Sequence, residues 1–177
     1  QITDQYGTID ILVNNAGITR DALLMRMKES QWEEVIKTNL SGAFFSMQSV
    51  IKTMMKNKKG RIINITSIVG LTGNAGQSNY AASKAALINL TRSLARLYSK
   101  DKIAVTAIAP GVIDTGMTTE TLGHQTDKLL SQIPSGRLGT TKEVAKAVKY
   151  LCSEEAAYLS GITLNINGCL LYTSPSP

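Results

Sequence analysis

The sequence contains few of the side chains that usually bind metals or form cross-links. Its 177 residues include one histidine, His124, and two cysteines. Cys152 and Cys169 stand alone rather than in a C-x-x-C motif, so neither a redox dithiol nor a zinc site is indicated. A single histidine also excludes a multi-histidine metal site. We therefore expect no bound metal, and the isolated thiols fit the reducing cytoplasm better than a disulfide.

Long apolar runs and abundant aromatic residues are also missing. No apolar run approaches the roughly 20 residues that span a bilayer, so no membrane segment is expected. The first residues lack the basic and apolar regions of a signal peptide and an initiator methionine, so we expect the chain to begin inside a longer protein. Aromatic residues make up 5% of the chain and are not interleaved with the basic run 56–61, which argues against nucleic-acid binding. That run is either a solvated turn or a contact surface for an acidic substrate or carrier.

The residues that are present indicate one globular domain, with 43% apolar and 18% charged side chains. Buried strands are predicted at 9–14, 61–66, 103–108 and 162–166. Helices are predicted from an N-cap at Ser30 to about Met54 with Gly60 ending the segment, from Ser78 to Ser99, and from Thr141 to about Ser153. This alternation predicts an α/β fold with a parallel sheet covered by helices on both faces.

Polar residues follow several of the predicted strands. In parallel sheets the carboxyl ends of the strands share one edge, where ligands bind. That edge is predicted to collect Asn14, Asn15, Ser67, Pro110, Gly111 and the loop leading to Thr115. The glycines at 70, 73 and 76 do not have the G-x-G-x-x-G spacing of a phosphate site, so we expect them to form a flexible loop.

Tyr80 and Lys84 are four residues apart on a predicted helix and therefore share one face. A nearby ammonium favours the phenolate, so the pair can donate and accept a proton near neutral pH. Ser67 could hydrogen-bond the same substrate oxygen. Tyr-x-x-x-Lys alone is common by chance on exposed helices, and it indicates a catalytic pair only in combination with Ser67 and the turns Asn14-Asn15-Ala16-Gly17 and Pro110-Gly111.

The motifs Asn14-Asn15-Ala16-Gly17, Asn39, Ser67, Tyr80-x-x-x-Lys84 and Pro110-Gly111 occur in one order along nearly the whole chain. In this the chain resembles the short-chain dehydrogenase/reductase family. The resemblance implies the C-terminal part of a doubly wound, mainly parallel Rossmann-type sheet. The family's Thr-Gly-x-x-x-Gly-x-Gly turn is absent, so residues 1–168 are interpreted as a single domain lacking its N-terminal phosphate-binding half. Residues 169–177 are interpreted as an aberrant or disordered tail.

By the same resemblance, Tyr80 is the acid/base, Lys84 lowers its pKa and binds the nicotinamide ribose, and Ser67 orients the carbonyl. Asn39 would support a water-mediated proton relay, its alternative role being a bond to helix backbone. The implied cofactor contacts, each of which could otherwise be an ordinary turn or helix residue, are Asn14, Ala16, Gly17, Tyr80, Lys84, Pro110, Gly111, Ile113 and Thr115.

Segments 11–27, 60–84, 109–118 and 133–139 are most similar to family members that reduce 3-oxoacyl groups on acyl carrier protein in fatty-acid synthesis. This implies NADPH, with NADH as the alternative because the selecting residue lies outside the chain. Helices near 30–55 and 78–99 resemble the family's tetramer-forming pair, which implies a homotetramer. The alternatives are a reductase of a sugar, steroid or small alcohol, or an inactive fragment that retains only subunit packing. Residues 118–133 correspond to a substrate lid, and residues 1–177 alone are expected to be inactive.

Overall fold

The fold is built on a parallel sheet, seen in a computed structural model that describes residues 2–116 and 129–171. The strands of the chain are β1 (Ile11–Asn14), β2 (Gly60–Ile65), β3 (Ile103–Pro110), β4 (Ile113–Asp114), β5 (Gly139–Thr140) and β6 (Thr163–Ile166). Four of them form one sheet in the order β1-β2-β3-β6, and every neighbouring pair is parallel. The predicted α/β fold with a parallel sheet is confirmed.

Helices connect the strands in the predicted order. They are α1 (Ile2–Tyr6), α2 (Glu29–Ile36), α3 (Gly42–Asn57), α4 (Val69–Thr72), α5 (Ser78–Tyr98) and α6 (Thr141–Cys152). Short 3₁₀ turns lie at Leu24–Arg26, Ser99–Asp101 and Glu154–Ala156, and a π turn lies at Lys37–Ser41. Among the described residues, no helix combines the length and hydrophobicity that a membrane span needs.

Apolar side chains pack on both faces of the sheet. Because neighbouring strand residues point to opposite faces, Ile62 and Ile63 enter two different clusters. On one face, α3 and α5 bury residues such as Met54 and Leu87 against Ile62. On the other face, Leu151 of α6 packs with Ile63. The prediction of helices on both faces is therefore confirmed.

One side of the sheet ends at β1. Within the described residues, no strand pairs with its outer edge. Ile11 is 46% exposed and Val13 is 38% exposed. This strand therefore presents an exposed apolar edge.

The helix predicted to run unbroken from Ser30 is instead divided. It begins one residue earlier, at Glu29, because the Lys28 N–H is bound by the Gln31 side chain (2.9 Å), so Ser30 is not its N-cap. The π turn at Lys37–Ser41 then separates α2 from α3. Such turns contain one extra residue and frequently occur at functional sites. Here the turn contains Asn39, which is 1% exposed.

Gly60 begins β2 and does not end the preceding helix, as had been predicted. The left-handed residue after α3 is Lys58 (φ 50°). A Cβ on Gly60 would lie 2.6 Å from the Met54 sulfur, so a side chain there would force the buried Met54 side chain to shift. The end of β3 was also predicted too early, since the strand continues to Pro110, whose carbonyl accepts a hydrogen bond from Ile68 N–H (2.9 Å). A proline at the end of a strand is compatible with strand pairing because the strand loses only the one N–H donor that proline lacks.

The start of α6 was predicted at the correct residue. Thr140 caps it, with the Glu143 N–H donating to the Thr140 hydroxyl at 3.2 Å and the Thr140 N–H donating to the Glu143 carboxylate at 2.8 Å. The two-residue parallel pair of β4 and β5 was missed, because strands this short leave no periodic pattern.

Gly70→Ala should destabilise the protein, because the new Cβ would lie 2.9 Å from the backbone of Lys84 and Ala85. We expect the free energy of unfolding to fall by about 1–3 kcal/mol in urea denaturation. The matched variant Gly42→Ala meets its nearest neighbour, the Lys37 carbonyl, at an ordinary 3.6 Å, and should be neutral or slightly stabilising. Equal denaturation midpoints for the two variants would show that the α4–α5 contact is not tight.

Candidate active site

A cleft of about 380 Å³ opens at the carboxyl ends of the strands. Such an edge is where ligands bind in parallel α/β sheets. The predicted site residues that line it are Gly17, Ser67, Tyr80, Lys84, Pro110, Gly111, Ile113 and Thr115. Residues at the ends of β1, β2 and β3 thus meet residues of α5 in one cavity, as the order of strands and helices predicted.

Tyr80 lies in the first turn of α5, and its hydroxyl faces Ser67 after β2. Burial raises the Tyr80 pKa above its usual value of 10.0, a hydrogen bond with the Ser67 side chain lowers it, and the Asp21 carboxylate raises it. Ser67 Oγ also accepts a hydrogen bond from Val69 N–H (3.2 Å). The serine is thereby held at the phenol by its own loop.

Lys84 lies one helical turn after Tyr80 and is 3% exposed. Its Nζ donates to the Ile65 carbonyl at 2.8 Å and lies 5.6 Å from the centre of the Tyr80 ring. Burial lowers the Lys84 pKa from 10.5 to about 8. The net shift of the Tyr80 pKa is upward because burial dominates, and the lowering of that pKa by Lys84 stays a prediction.

Asn39 is fixed through its side chain. Its Oδ1 accepts a hydrogen bond from Ile18 N–H (2.8 Å), and its Nδ2 donates to the Ile18 carbonyl (3.0 Å) and to Ser83 Oγ (3.2 Å). The amide therefore connects the π turn to the loop after β1 and to α5. The backbone that Asn39 binds is that of the loop residue Ile18 and not of a helix, and the proton relay stays a prediction.

Gly17 borders the Lys84 ammonium. A Cβ at this position would lie 3.3 Å from Lys84 Nζ and 3.5 Å from Asn39 Oδ1. A side chain would therefore fill the space beside the cation. Its absence leaves room at Lys84 for a polar ligand group.

Asn14 does not line the cleft in this structure. Its Nδ2 donates to Asn64 Oδ1 at 2.8 Å, and Asn64 Nδ2 donates to Thr91 Oγ1 at 2.9 Å. Asn15 lines the cleft instead. Ala16, also predicted to contact a cofactor, is not among the lining residues either. The roles of Asn14 and Ala16 stay predictions.

Sequence reasoning missed several polar residues of the cleft. Thr19, Asp21, Asn74 and Gln77 also line it. Gln77 Nε2 donates to the Asp21 carboxylate at 2.8 Å, between residues 56 positions apart. No local pattern could have revealed that contact.

Parts of the sequence interpretation concern residues outside the described ranges. The expected lid at 118–133 is described only from Leu129, which lines the cleft. His124 lies outside the described part, as does the tail after Leu171. Among the described residues, no group of three or more histidine, cysteine, aspartate or glutamate side chains could hold a metal ion.

Lys84→Met should remove a pH dependence of stability. Because the folded-state pKa is about 8 and the ordinary value is 10.5, the unfolded chain binds more protons between these values. The free energy of unfolding of the wild-type protein therefore gains a contribution that rises with pH, by up to roughly 2 kcal/mol from pH ~8 to pH ~9.5. Urea denaturation over this range should show the rise in the wild type and in the exposed-lysine control Lys52→Met, but not in Lys84→Met. Parallel curves for all three proteins would contradict the burial of Lys84.

The chain was compared with known proteins. A family model described as enoyl-(acyl carrier protein) reductase matches residues 1–170. The 3-oxoacyl-[acyl-carrier-protein] reductase FabG of Vibrio cholerae is 52% identical over 167 residues, which cover 94% of this chain and 68% of that protein. The protein of the same name from Escherichia coli K12 is 52% identical over 168 residues (95% and 69%). That of Haemophilus influenzae is 49% identical over 170 residues (96% and 70%).

The match to the family model includes Ser67, Tyr80 and Lys84 and the parallel sheet that brings them together. The resemblance found in the motifs is confirmed. The chain belongs to the short-chain dehydrogenase/reductase family of nicotinamide-dependent oxidoreductases.

Proposed function

We propose that this protein catalyses the NADPH-dependent reduction of 3-oxoacyl-[acyl-carrier-protein] to 3-hydroxyacyl-[acyl-carrier-protein] in fatty-acid biosynthesis. The observation that carries the proposal is the meeting of Ser67, Tyr80 and buried Lys84 in one open cleft at the carboxyl ends of the strands. The identity of 52% to reductases named for this reaction supports the choice of substrate.

The side chains have the protonation states that carbonyl reduction needs. Because burial raises its pKa, Tyr80 keeps its proton at neutral pH and can donate it to a carbonyl oxygen. Ser67 can donate a second hydrogen bond to that oxygen. With a pKa of about 8, Lys84 is mostly protonated at pH 7 and can stabilise the phenolate that remains.

The residues of the cleft fit the nicotinamide end of a cofactor. Gly17 leaves space beside the Lys84 ammonium, where a ribose hydroxyl could accept a hydrogen bond. Pro110, Gly111, Ile113 and Thr115 form the neighbouring wall. When bound, the cofactor supplies the hydride. NADPH is proposed by resemblance to 3-oxoacyl reductases, with NADH as the alternative.

Acyl carrier protein is the proposed partner, and the basic run 56–61 is its proposed contact. Lys58 forms an ion pair with Asp101, and Arg61 lies 3.7 Å from Glu154. Lys59 forms no ion pair within residues 2–116 and 129–171. The run lies at the amino end of β2, about 20 Å from Ser67 by the length of the strand. A carrier protein bound there must bring its acyl thioester to the cleft on a long linker, or deliver it to the cleft of a second copy of this chain.

Assembly into a homotetramer is also part of the proposal. Phe44 and Phe45 of α3 are 41% and 61% exposed, and Leu97 of α5 is 63% exposed. Their position on the predicted assembly helices supports association through this surface. A cytoplasmic location is proposed as well, and the free thiols of Cys152 and Cys169 are compatible with a reducing compartment.

Tyr80→Phe in the full-length protein should lower kcat for a 3-oxoacyl thioester by about 10²- to 10⁴-fold, because the proton donor is lost. Tyr98→Phe removes a hydroxyl from the other end of α5 and should leave kcat unchanged. The measurement is nicotinamide absorbance with NADPH and with NADH. Reduction of a 2-enoyl thioester in place of the 3-oxoacyl substrate would refute the proposed reaction, and normal turnover by Tyr80→Phe would refute the role of Tyr80.

The double variant Lys58→Glu/Lys59→Glu in the full-length protein should raise KM for the carrier-bound substrate about tenfold. The physical reason is that charge reversal repels an acidic partner. KM for a small 3-oxoacyl thioester should stay unchanged, as it should for both substrates with Lys52→Glu on the exposed face of α3. Equal changes for the two substrates would contradict docking at the basic run.

A further inference from the structure

Asn79, the residue before Tyr80, is fully buried although its side chain is polar. A buried amide is costly unless its hydrogen bonds are formed. Asn79 Oδ1 accepts a hydrogen bond from Tyr80 N–H at 2.8 Å. Its Nδ2 donates to the carbonyls of Arg20 (3.0 Å) and Gln31 (3.2 Å). All three bonds point to backbone atoms, so the side chain fixes main chain on three segments.

The first of these bonds is unusual for a helix start. The first N–H groups of a helix have no partner within it and are normally bound by the N-cap side chain. Gln77, at the N-cap of α5, makes no such bond. The Tyr80 N–H is bound instead by its own neighbour, which restricts where the Tyr80 backbone can lie.

The other two bonds join α5 to elements that are distant in sequence. Arg20 lies in the loop after β1, and Gln31 lies in α2. Two more contacts attach the same loop near the start of α5, from Gln77 to Asp21 (2.8 Å) and from Ala22 N–H to the Gly76 carbonyl (2.9 Å). The wall of the cleft and the helix that carries Tyr80 are therefore one connected unit, with Asn79 at its centre.

We infer that Asn79 is a positioning residue that sets the place of the Tyr80 hydroxyl relative to Ser67 and the cleft. It touches no reacting atom and acts through the Tyr80 backbone. The inference rests on the proposed function in one respect, namely which reaction Tyr80 catalyses. The positioning of the Tyr80 hydroxyl by Asn79 does not depend on that reaction.

The test uses Asn79→Ala and Asn79→Asp in the full-length protein. Alanine removes all three bonds, and we expect kcat to fall about 100-fold, as for a misplaced catalytic group, with KM changed less than about twofold. An ionised aspartate keeps the bond to Tyr80 N–H but cannot donate to the two carbonyls, so kcat should fall similarly. The protonated aspartate can again donate a hydrogen bond to a backbone carbonyl. The kcat of Asn79→Asp relative to that of the wild type should therefore recover as the pH falls.

The ratio of kcat for Asn79→Asp to kcat for the wild type, followed over pH, reports the titration of the new aspartate. The charged groups on the segments that Asn79 joins are present in all variants and cancel in the ratio; they are Arg20 and Asp21 of the loop, Glu29, Glu33 and Glu34 of α2, and Lys84, Arg92 and Arg96 of α5. Thr91→Val is the matched control, since it removes buried hydrogen bonds on the same helix, to Leu87 and Asn64, away from the cleft. It should destabilise the fold but leave kcat within about twofold.

Hydrogen exchange supplies a readout that does not need activity. Amide exchange of residues 78–84 should be at least about tenfold faster in Asn79→Ala than in wild type, and unchanged in Thr91→Val. The inference is overturned if exchange is unchanged, if kcat stays normal, or if Asn79→Asp shows no recovery at low pH. If the wild type reduces simple ketones but no 3-oxoacyl thioester, the proposed substrate is wrong. In that case kcat for the ketone and the amide exchange rates still test the role of Asn79.

Discussion

The hydrogen bond from Lys84 Nζ to the Ile65 carbonyl joins the two elements on which the site depends. Ile65 is the last residue of β2, which leads to Ser67, and Lys84 belongs to the helix that carries Tyr80. This bond adds a polar connection to the close packing of α4 on α5, which also holds the end of β2 near this helix. The bond has a cost, because an ammonium that is 3% exposed has lost most of its hydration. The lowered Lys84 pKa reflects that cost, because burial disfavours the charged form of the side chain.

Buried amides extend this connection. Asn39 binds the loop after β1 and α5, Asn79 binds the same loop and α2, and Asn64 links β1 to α5 through Asn14 and Thr91. Each amide is satisfied by neighbours, so its burial gives specific geometry without an orphaned polar group. Apolar packing on the two sheet faces would hold the same elements together but would tolerate small shifts. Asn39 and Asn79 restrict those shifts where the loop after β1 meets α5 beside the cleft.

Local patterns in the sequence were sufficient for the parallel sheet, because alternating strands and helices leave few other topologies. They also placed Tyr80 and Lys84 on one face, since four residues make about one helical turn. Contacts between distant residues were not accessible in this way. The bond from Asn79 to Arg20 spans 59 positions, and neither residue type indicates it. The extent of Lys84 burial was equally hidden, so the balance of the two pKa values in the site could not be predicted.

The π turn at Lys37–Ser41 has a consequence for the rotational phase of the helices. An α-helix advances about 100° per residue, so one inserted residue rotates everything after it by that angle relative to what precedes it. If α2 and α3 formed one uninterrupted helix, their core-facing residues would not lie on the same face of it. Because the extra residue lies between the two helices, both sets of residues face the protein. The inserted residue thus allows one long segment to follow two surfaces, that of α5 and that of the sheet, and Asn39 lies at the point where the segment passes from one to the other.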